Sequence, residues 1–483
     1  MLFNSIDFVI FFPIVFIFYW FVTNRNIRYQ NAFLLISSCF FYACWDWRFL
    51  FLLLISIGLV YYPGKLMNSA KNQTQRKLWL WISIVFSIGF LGFFKYFNFF
   101  VDSFSDLLSH LGLQVNPWSI NIILPVGISF YTFHGLSYII DLYHKKIDEE
   151  KDFINYALFV SFFPLLIAGP IERATHLLPQ LKKQRTFDYT KAVDGLKQIL
   201  WGLFKKVVIA DNCAEYANLI FNNSAQYSGS TLVLGALFFT FQIYCDFSGY
   251  SDIALGTARL LGIELLRNFA FPYFARDIAE FWRRWHISLT TWFRDYIYIQ
   301  LGGSRGGTWM KIRNTFIIFL VSGFWHGANW TFIVWGGLNA LYFLPLLLTK
   351  NNRKNLDTVA HGRIFPTFKE LFQMLLTFGL AVFGWIFFRA NNIEHAISYI
   401  SEILSSSLFT IPKFEGMDKA LTTIILVGIF VLIEWQGREG QYAISQLGIK
   451  WKRPLRYAMY YSIIFLIMYF GNFNENQFIY FQF

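Results

Sequence analysis

Runs of apolar side chains long enough to enter a bilayer recur from one end of this 483-residue chain to the other, at residues 8–22, 49–62, 78–94, 231–244 and 457–470. A bilayer-spanning helix needs about 20 mostly apolar residues, and in lipid every backbone N–H and C=O has to be satisfied inside the segment. Only 14% of the residues are charged, against about 25% in an ordinary soluble domain. A water-soluble globule is excluded, and the fold class these runs predict is an all-α polytopic membrane protein. Aromatic residues make up 21% of the chain, with 59 Phe and 17 Trp, although Leu, Ile and Val are equally content in hydrocarbon. The surplus predicts rings that pack against one another or wall a bound group.

A net charge of +12 would suit nucleic acid only if the basic residues clustered on one water-exposed face. They are instead spread over short inter-helix loops, where they act as topology signals, and no nucleic-acid partner is expected. The four cysteines, Cys39, Cys44, Cys213 and Cys245, form no Cys-x-x-Cys pair, and no His pair has zinc-type spacing. Neither a disulfide framework nor a metal site is expected. The apolar N-terminus has no basic n-region and no small-residue cleavage site before Asn24, so it reads as a retained first helix.

Basic residues mark cytoplasmic loops. Arg25 and Arg28 follow the first span and put the N-terminus outside; spans at 32–42 and 49–62 return to Lys65, Lys71, Arg76 and Lys77. The fourth span leads to an acidic loop at 102–117, and the fifth, 122–140, returns to the charged stretch 145–152. Segment 153–169 breaks the alternation, because charged stretches bound it on both sides, and Pro164 with Gly169-Pro170 makes it re-entrant. Residues 196–210 cross outward and 231–262 cross back. In the most basic stretch, from Arg267 to Arg313, Phe281, Trp285, Leu289, Trp292 and Tyr296 recur at helical spacing, with Arg283, Arg284 and Arg294 off that stripe. This predicts an amphipathic helix on the cytoplasmic side. Spans at 315–330, 332–348, 371–388, 421–435 and 457–470 bring the expected number to about 12, with both termini and the 471–483 tail outside. No internal repeat or soluble domain is visible.

Most of the eight histidines have ordinary readings. His110, His144, His176, His361 and His395 fall in loops or beside charges, and His134 reads as a hydrogen-bonded core residue. His286 closes the run Phe281-Trp-Arg-Arg-Trp-His286, and His326 lies in Ser322-Gly-Phe-Trp-His-Gly-Ala-Asn-Trp330, inside an expected span. An ionisable group within a membrane segment costs a few kcal/mol or more and marks function by default. With a reference pKa of about 6.5, histidine can also exchange protons near neutrality. The alternative for His326 is a packing histidine bonded to a carbonyl, which the small neighbours Gly323, Gly327 and Ala328 would also allow. The loop Gly302-Gly-Ser-Arg-Gly-Gly307, with Arg305 and nearby Lys311, offers backbone N–H groups suited to phosphate but matches no Walker or dinucleotide pattern.

The run from Asp277 through Phe281-Trp-Arg-Arg-Trp-His286 to Ile299, then Leu301-Gly-Gly, then Phe324-Trp-His-Gly327, resembles the membrane-bound O-acyltransferases, and in particular their bacterial alginate O-acetyltransferase branch. Pro125-Val-Gly-Ile-Ser-Phe-Tyr-Thr-Phe133 and Ala168-Gly-Pro-Ile-Glu172 resemble that branch too, and the resemblance covers nearly the whole chain. Gln300 departs from it, since many relatives carry Pro before Leu-Gly-Gly. The resemblance implies a single integral-membrane domain over 1–483, with N-terminal helices at 1–262, a core at 263–348 holding both His motifs, C-terminal helices at 349–470 and the tail. About 11 to 13 spans with re-entrant pieces would surround a central tunnel.

By the same resemblance, His326 is the essential histidine and His286 its polar partner. Trp282, Arg283, Arg284, Trp285, Arg294, Arg305, Trp325 and Asn329 then surround them as donor- and substrate-binding residues. Acetyl-CoA is the implied cytoplasmic co-substrate, with no bound cofactor. Tyr480, in Phe478-Ile-Tyr-Phe-Gln-Phe483, matches a tail tyrosine implicated as acyl acceptor; the alternative is an aromatic anchor at the interface. The chain shows no soluble hydrolase-like domain, so the resemblance implies an SGNH-type periplasmic or membrane-anchored partner for the final step onto a polysaccharide. The implied location is the bacterial inner membrane. Two other readings stay open: an O-acyltransferase acting on a lipid or lipoprotein, and a transporter whose intramembrane His and Arg line a path. Absent repeats and paired broken helices weigh against the transporter.

Overall fold

The computed structural model of the chain describes residues 1–113 and 122–473, and among these the only regular elements are helices. Six are long and apolar enough to cross a bilayer: Trp47–Asn68, Gln73–His110, Gly229–Leu260, Trp330–Leu348, Phe368–Arg389 and Met417–Gly437. The first expected span is the shorter apolar helix Ile6–Val22. The remaining expected spans overlap Ile27–Ala43, Ile128–Tyr143, Tyr189–Leu203 with its π-helical continuation Phe204–Ala210, Thr308–His326 and Arg453–Phe470, the expected 122–140 starting before its helix and 315–330 running past the end of its helix at His326. Side chains such as Ile6, Val9, Ile10, Val85, Phe86 and Ile88 stand exposed on these helices, as lipid-facing positions do.

Two expectations are corrected. The acidic stretch after the fourth span is not a loop from residue 102: the helix runs on to His110. Neither Gly nor Pro interrupts it between Lys95 and His110, and Asp102, Ser103 and Asp106 are compatible with a helix. At 38 residues and 1.5 Å per residue it is about 57 Å long, well beyond the hydrocarbon thickness. The expected amphipathic helix around His286 is also not continuous. It is two short helices, Ile278–Arg284 and Ile287–Phe293, followed by a π-helical turn, Arg294–Tyr298, and its stripe residues are buried.

The chain divides into two compact units, Met1–Ala192 with Thr257–Leu266, and Val193–Gly256 with Arg267–Phe483. In the first, the expected re-entrant segment is a broken pair of helices, Phe153–Ser161 and Phe163–Leu166, almost entirely buried and each too short to span. The following Gly169-Pro-Ile-Glu172 stretch carries a buried polar junction. The Glu172 amide donates to His134 Nε2 (3.1 Å), Glu172 Oε1 accepts from the Leu266 amide (2.5 Å), and Oε2 pairs with His176 Nδ1 at 2.7 Å. The hydrogen bond to Glu172 holds the His176 pKa above its ordinary value, against the burial that opposes it. A raised folded-state pKa stabilises fully below the unfolded value of about 6.5 and is lost as pH rises through the folded one. Melting temperatures of the wild type and His176→Gln, measured across that window, should therefore converge as pH rises.

In the second unit the helices Tyr189–Leu203 and Gly229–Leu260 approach backbone to backbone. A Cβ on Gly202 would sit 2.7 Å from the Gly249 carbonyl oxygen, and one on Gly256 would sit 2.4 Å from that of Gly195. Close small-residue seams of this kind bring membrane helices together where the hydrophobic effect cannot. The helices Thr308–His326 and Trp330–Leu348 form a hairpin with only Gly327, Ala328 and Asn329 between them. Asn329 caps the second helix by accepting from the Thr331 amide at 3.0 Å.

Candidate active site

His326 is the last residue of its helix rather than a mid-span residue, and it is 4% exposed. The hairpin turn places its ring among Trp325 (4.9 Å between centroids), Trp335 (5.1 Å, edge-on) and Phe388 (5.3 Å). His286 is 1% exposed and forms the joint between the two short helices, at φ +42° and ψ 54°. Its Nδ1 lies 2.9 Å from Asn268 Oδ1, and its ring meets Phe247 edge-on at 4.7 Å. Trp325 packs against both histidines, 6.1 Å from the ring of His286 and 4.9 Å from that of His326. The two residues singled out in the sequence are thus both brought into ring contact with one indole.

Around them the aromatic surplus finds its place. Trp335 stacks on Trp385 (5.8 Å, 21°), Trp385 packs on Trp285 (4.9 Å), and Trp285 stacks on Phe281 (5.5 Å, 17°). Trp282 adds an edge-on contact to Trp335 and donates from Nε1 to Asn339 Oδ1 at 3.2 Å. The result is a dry aromatic wall in which a charge is weakly screened.

The other expected site residues are placed less directly. Arg283 donates to the carbonyls of Asn352 (2.8 Å) and Asn355 (2.7 Å), and Arg284 to those of Ala270 (3.1 Å) and Asp357 (2.9 Å) while pairing with Glu280. Arg276 also bonds Glu280 and Asp357, and its hydrogen bond keeps the Asp357 carboxyl below the usual range. These guanidinium groups brace the segment between Trp330–Leu348 and Phe368–Arg389. Asn329 is occupied as a cap, and Arg294 pairs with Asp295 at 2.7 Å. Arg305 is exposed beside the left-handed glycines Gly302 and Gly303. Tyr480 lies outside the described residues. The base of its tail is fixed where the Asn472 amide donates to the Val207 carbonyl (2.9 Å) and Asn212 Nδ2 to that of Phe470 (2.9 Å).

Sequence reasoning passed over a second set of groups. Lys205 pairs with Asp252 (2.6 Å), Lys206 with Asp211 (2.8 Å) and Asp246 (2.9 Å), and Tyr244 donates to Glu434 at 2.6 Å. Lys205, Asp252, Arg267, Asn268 and Glu434 line a narrow polar cleft. Charges inside expected spans were the available signal, since such groups survive in hydrocarbon chiefly by pairing.

Comparison with known proteins bears on this arrangement. The membrane-bound O-acyltransferase family model matches residues 144–389, a stretch that contains both histidines and the Trp385–Phe388 wall. The chain is 38% identical to a probable alginate O-acetylase of Pseudomonas aeruginosa over 434 residues, 89% of this chain and 80% of that protein. It is 35% identical to the peptidoglycan O-acetyltransferase of Helicobacter pylori over 430 residues, 83% and 79% of the two chains. It is also 27% identical to the teichoic acid D-alanyltransferase of Bacillus subtilis over 286 residues, 57% and 71%. With the family match spanning half of an all-helical, multi-pass chain, this protein belongs to the membrane-bound O-acyltransferase family and is an O-acyltransferase.

Proposed function

We propose that the protein moves acetyl groups from cytoplasmic acetyl-CoA across the bacterial inner membrane for O-acetylation of an extracytoplasmic polysaccharide, with His326 and His286 as the reacting pair and Tyr480 as the carrier. The observation that carries this reading is the burial of both histidines against one indole, Trp325, in a chain similar over most of its length to an alginate and a peptidoglycan O-acetylating protein. His326 takes the proton of the incoming hydroxyl, the freed oxygen attacks the thioester carbonyl, the C–S bond breaks, and the CoA thiolate leaves and recovers the proton. A positioned general base contributes about 10²–10⁴-fold. Arg305, exposed beside a glycine turn, is the donor-phosphate contact this reading favours; Arg283, Arg284 and Asn329 act as braces.

A phenol with a reference pKa of about 10 is a far better leaving group than a sugar hydroxyl. An acetyl ester on Tyr480 therefore stays reactive on the far side, where the serine of a separate SGNH-type partner would take it and pass it to the sugar. The test uses the full-length protein in lipid with acetyl-labelled acetyl-CoA. Label should appear on the C-terminal peptide and disappear in Tyr480→Phe. Label persisting in that variant, or unchanged polymer acetylation in cells carrying it, would overturn the carrier step.

A further inference from the structure

His286 is held by one side chain, and the identity of that side chain settles which ring nitrogen carries the hydrogen. Asn268 Oδ1 lies 2.9 Å from His286 Nδ1, 3.0 Å from Ser288 Oγ and 3.4 Å from the Ser288 amide nitrogen, while Asn268 Nδ2 reaches Ser251 Oγ at 3.2 Å. A backbone N–H can only donate, so the amide atom facing Ser288 N is the oxygen. The same oxygen faces His286 Nδ1, which must then be the protonated nitrogen of the neutral ring. Asn268 is itself fixed in place: it is 1% exposed, and its carbonyl accepts from the Ile287 amide at 2.9 Å. The remaining nitrogen, His286 Nε2, is buried and has no hydrogen-bond partner among the described residues.

We propose that Asn268 is a positioning residue that locks His286 in the Nδ1–H tautomer, so that Nε2 meets the reacting groups as a bare lone pair. The inference rests on the acyl-transfer reading of this site and adds a direction to it. A neutral His286 held this way cannot donate to the thioester carbonyl; its Nε2 faces the reacting groups as an acceptor only, and the proton of the incoming hydroxyl is left to His326. The network also predicts how replacements behave. Asn268→Asp keeps the accepting oxygen, and Ser251 can rotate to donate to the other. Asn268→Ala leaves Nδ1–H without its acceptor and lets the ring turn or change tautomer.

Two measurements on the full-length protein in lipid test this. In ¹⁵N-histidine solid-state NMR, the resonance pair that vanishes in His286→Gln should show a protonated Nδ1 and an unprotonated Nε2, and Asn268→Ala should disturb that pair. A protonated Nε2 in the wild type would overturn the proposal whatever the enzyme does. In steady-state acyl transfer, Asn268→Ala should lower kcat by about 10- to 100-fold, by analogy with the loss when a partner orienting a metal-bound histidine is removed, with KM for acetyl-CoA unchanged. Asn268→Asp should recover much of kcat, with the acid limb of its pH profile moved to higher pH, because a carboxylate favours the imidazolium. Equal losses in both variants with unmoved pH profiles would reduce Asn268 to a structural role. Full activity in His286→Gln and His326→Gln would instead remove the reading on which the kinetic test depends.

Discussion

On the acetyl-CoA reading proposed above, replacing His326 by glutamine should lower acyl transfer by about 10²–10⁴-fold, the usual contribution of a positioned general base, while the protein still folds and inserts. The expectation follows from the position of the ring. His326 ends its helix and packs on Trp325, Trp335 and Phe388, so glutamine fills a similar volume and keeps a polar tip but cannot take a proton near neutrality. Release of CoA thiol from purified protein in lipid, followed alongside the melting temperature, separates the two effects. A variant with wild-type turnover would reduce His326 to a packing residue. A variant that loses turnover only because it no longer melts cooperatively would say nothing of base catalysis, and His326→Asn, smaller and less intrusive, then decides.

The second large effect concerns two adjacent glycines in the hairpin that presents His326. A Cβ on Gly336 would lie 2.3 Å from the Phe319 carbonyl oxygen, whereas one on Gly337 would meet only Leu320 Cδ2, at 3.9 Å. Gly323, across the hairpin, is as tight as Gly336: its Cβ would fall 2.2 Å from the Phe332 carbonyl oxygen. Backbone cannot step aside as a side chain can, so Gly336→Ala must push the helices apart. That costs about 1–3 kcal/mol or more and moves His326 relative to Trp335. Gly337→Ala has room for its methyl and gains helix propensity of up to about 1 kcal/mol. Thermal unfolding in detergent should show a lower melting temperature and lost activity for Gly336→Ala, and an unchanged or higher melting temperature for Gly337→Ala. Equal behaviour of the two variants would mean that the hairpin is not packed this closely.

What the sequence revealed of this protein followed from how local each feature is. Apolar runs report burial directly, so the membrane class and most helices were readable, and Phe324-Trp-His-Gly and Phe281-Trp-Arg-Arg-Trp-His drew attention to the two histidines. The extent of Gln73–His110 was not readable from hydropathy, because Asp102 and Asp106 mark the end of an apolar run without ending a helix. The break at Trp285–His286 carries neither Gly nor Pro. It exists because Trp285 is drawn into the Phe281–Trp385 stack and His286 toward Asn268, contacts made across the unit. Trp335, Trp385 and Phe388 reach the site only through tertiary packing, and no spacing rule connects them to position 326. The partners of Arg283 and Arg284 were not readable either, because they include carbonyls some 70 residues away in sequence.

The backbone at position 286 also limits how this enzyme can drift. At φ +42° a side chain with ordinary preferences costs roughly 1–2 kcal/mol, while Gly, Asn, Asp and His enter the left-handed region more readily. The menu of occupants is therefore short before any chemistry is selected. A random change to Ala, Leu or Val is penalised in folding, whereas Asn or Asp leaves the joint unstrained and changes only the side chain it presents. Neutral exploration at this joint is steered toward residues that carry a hydrogen-bonding group.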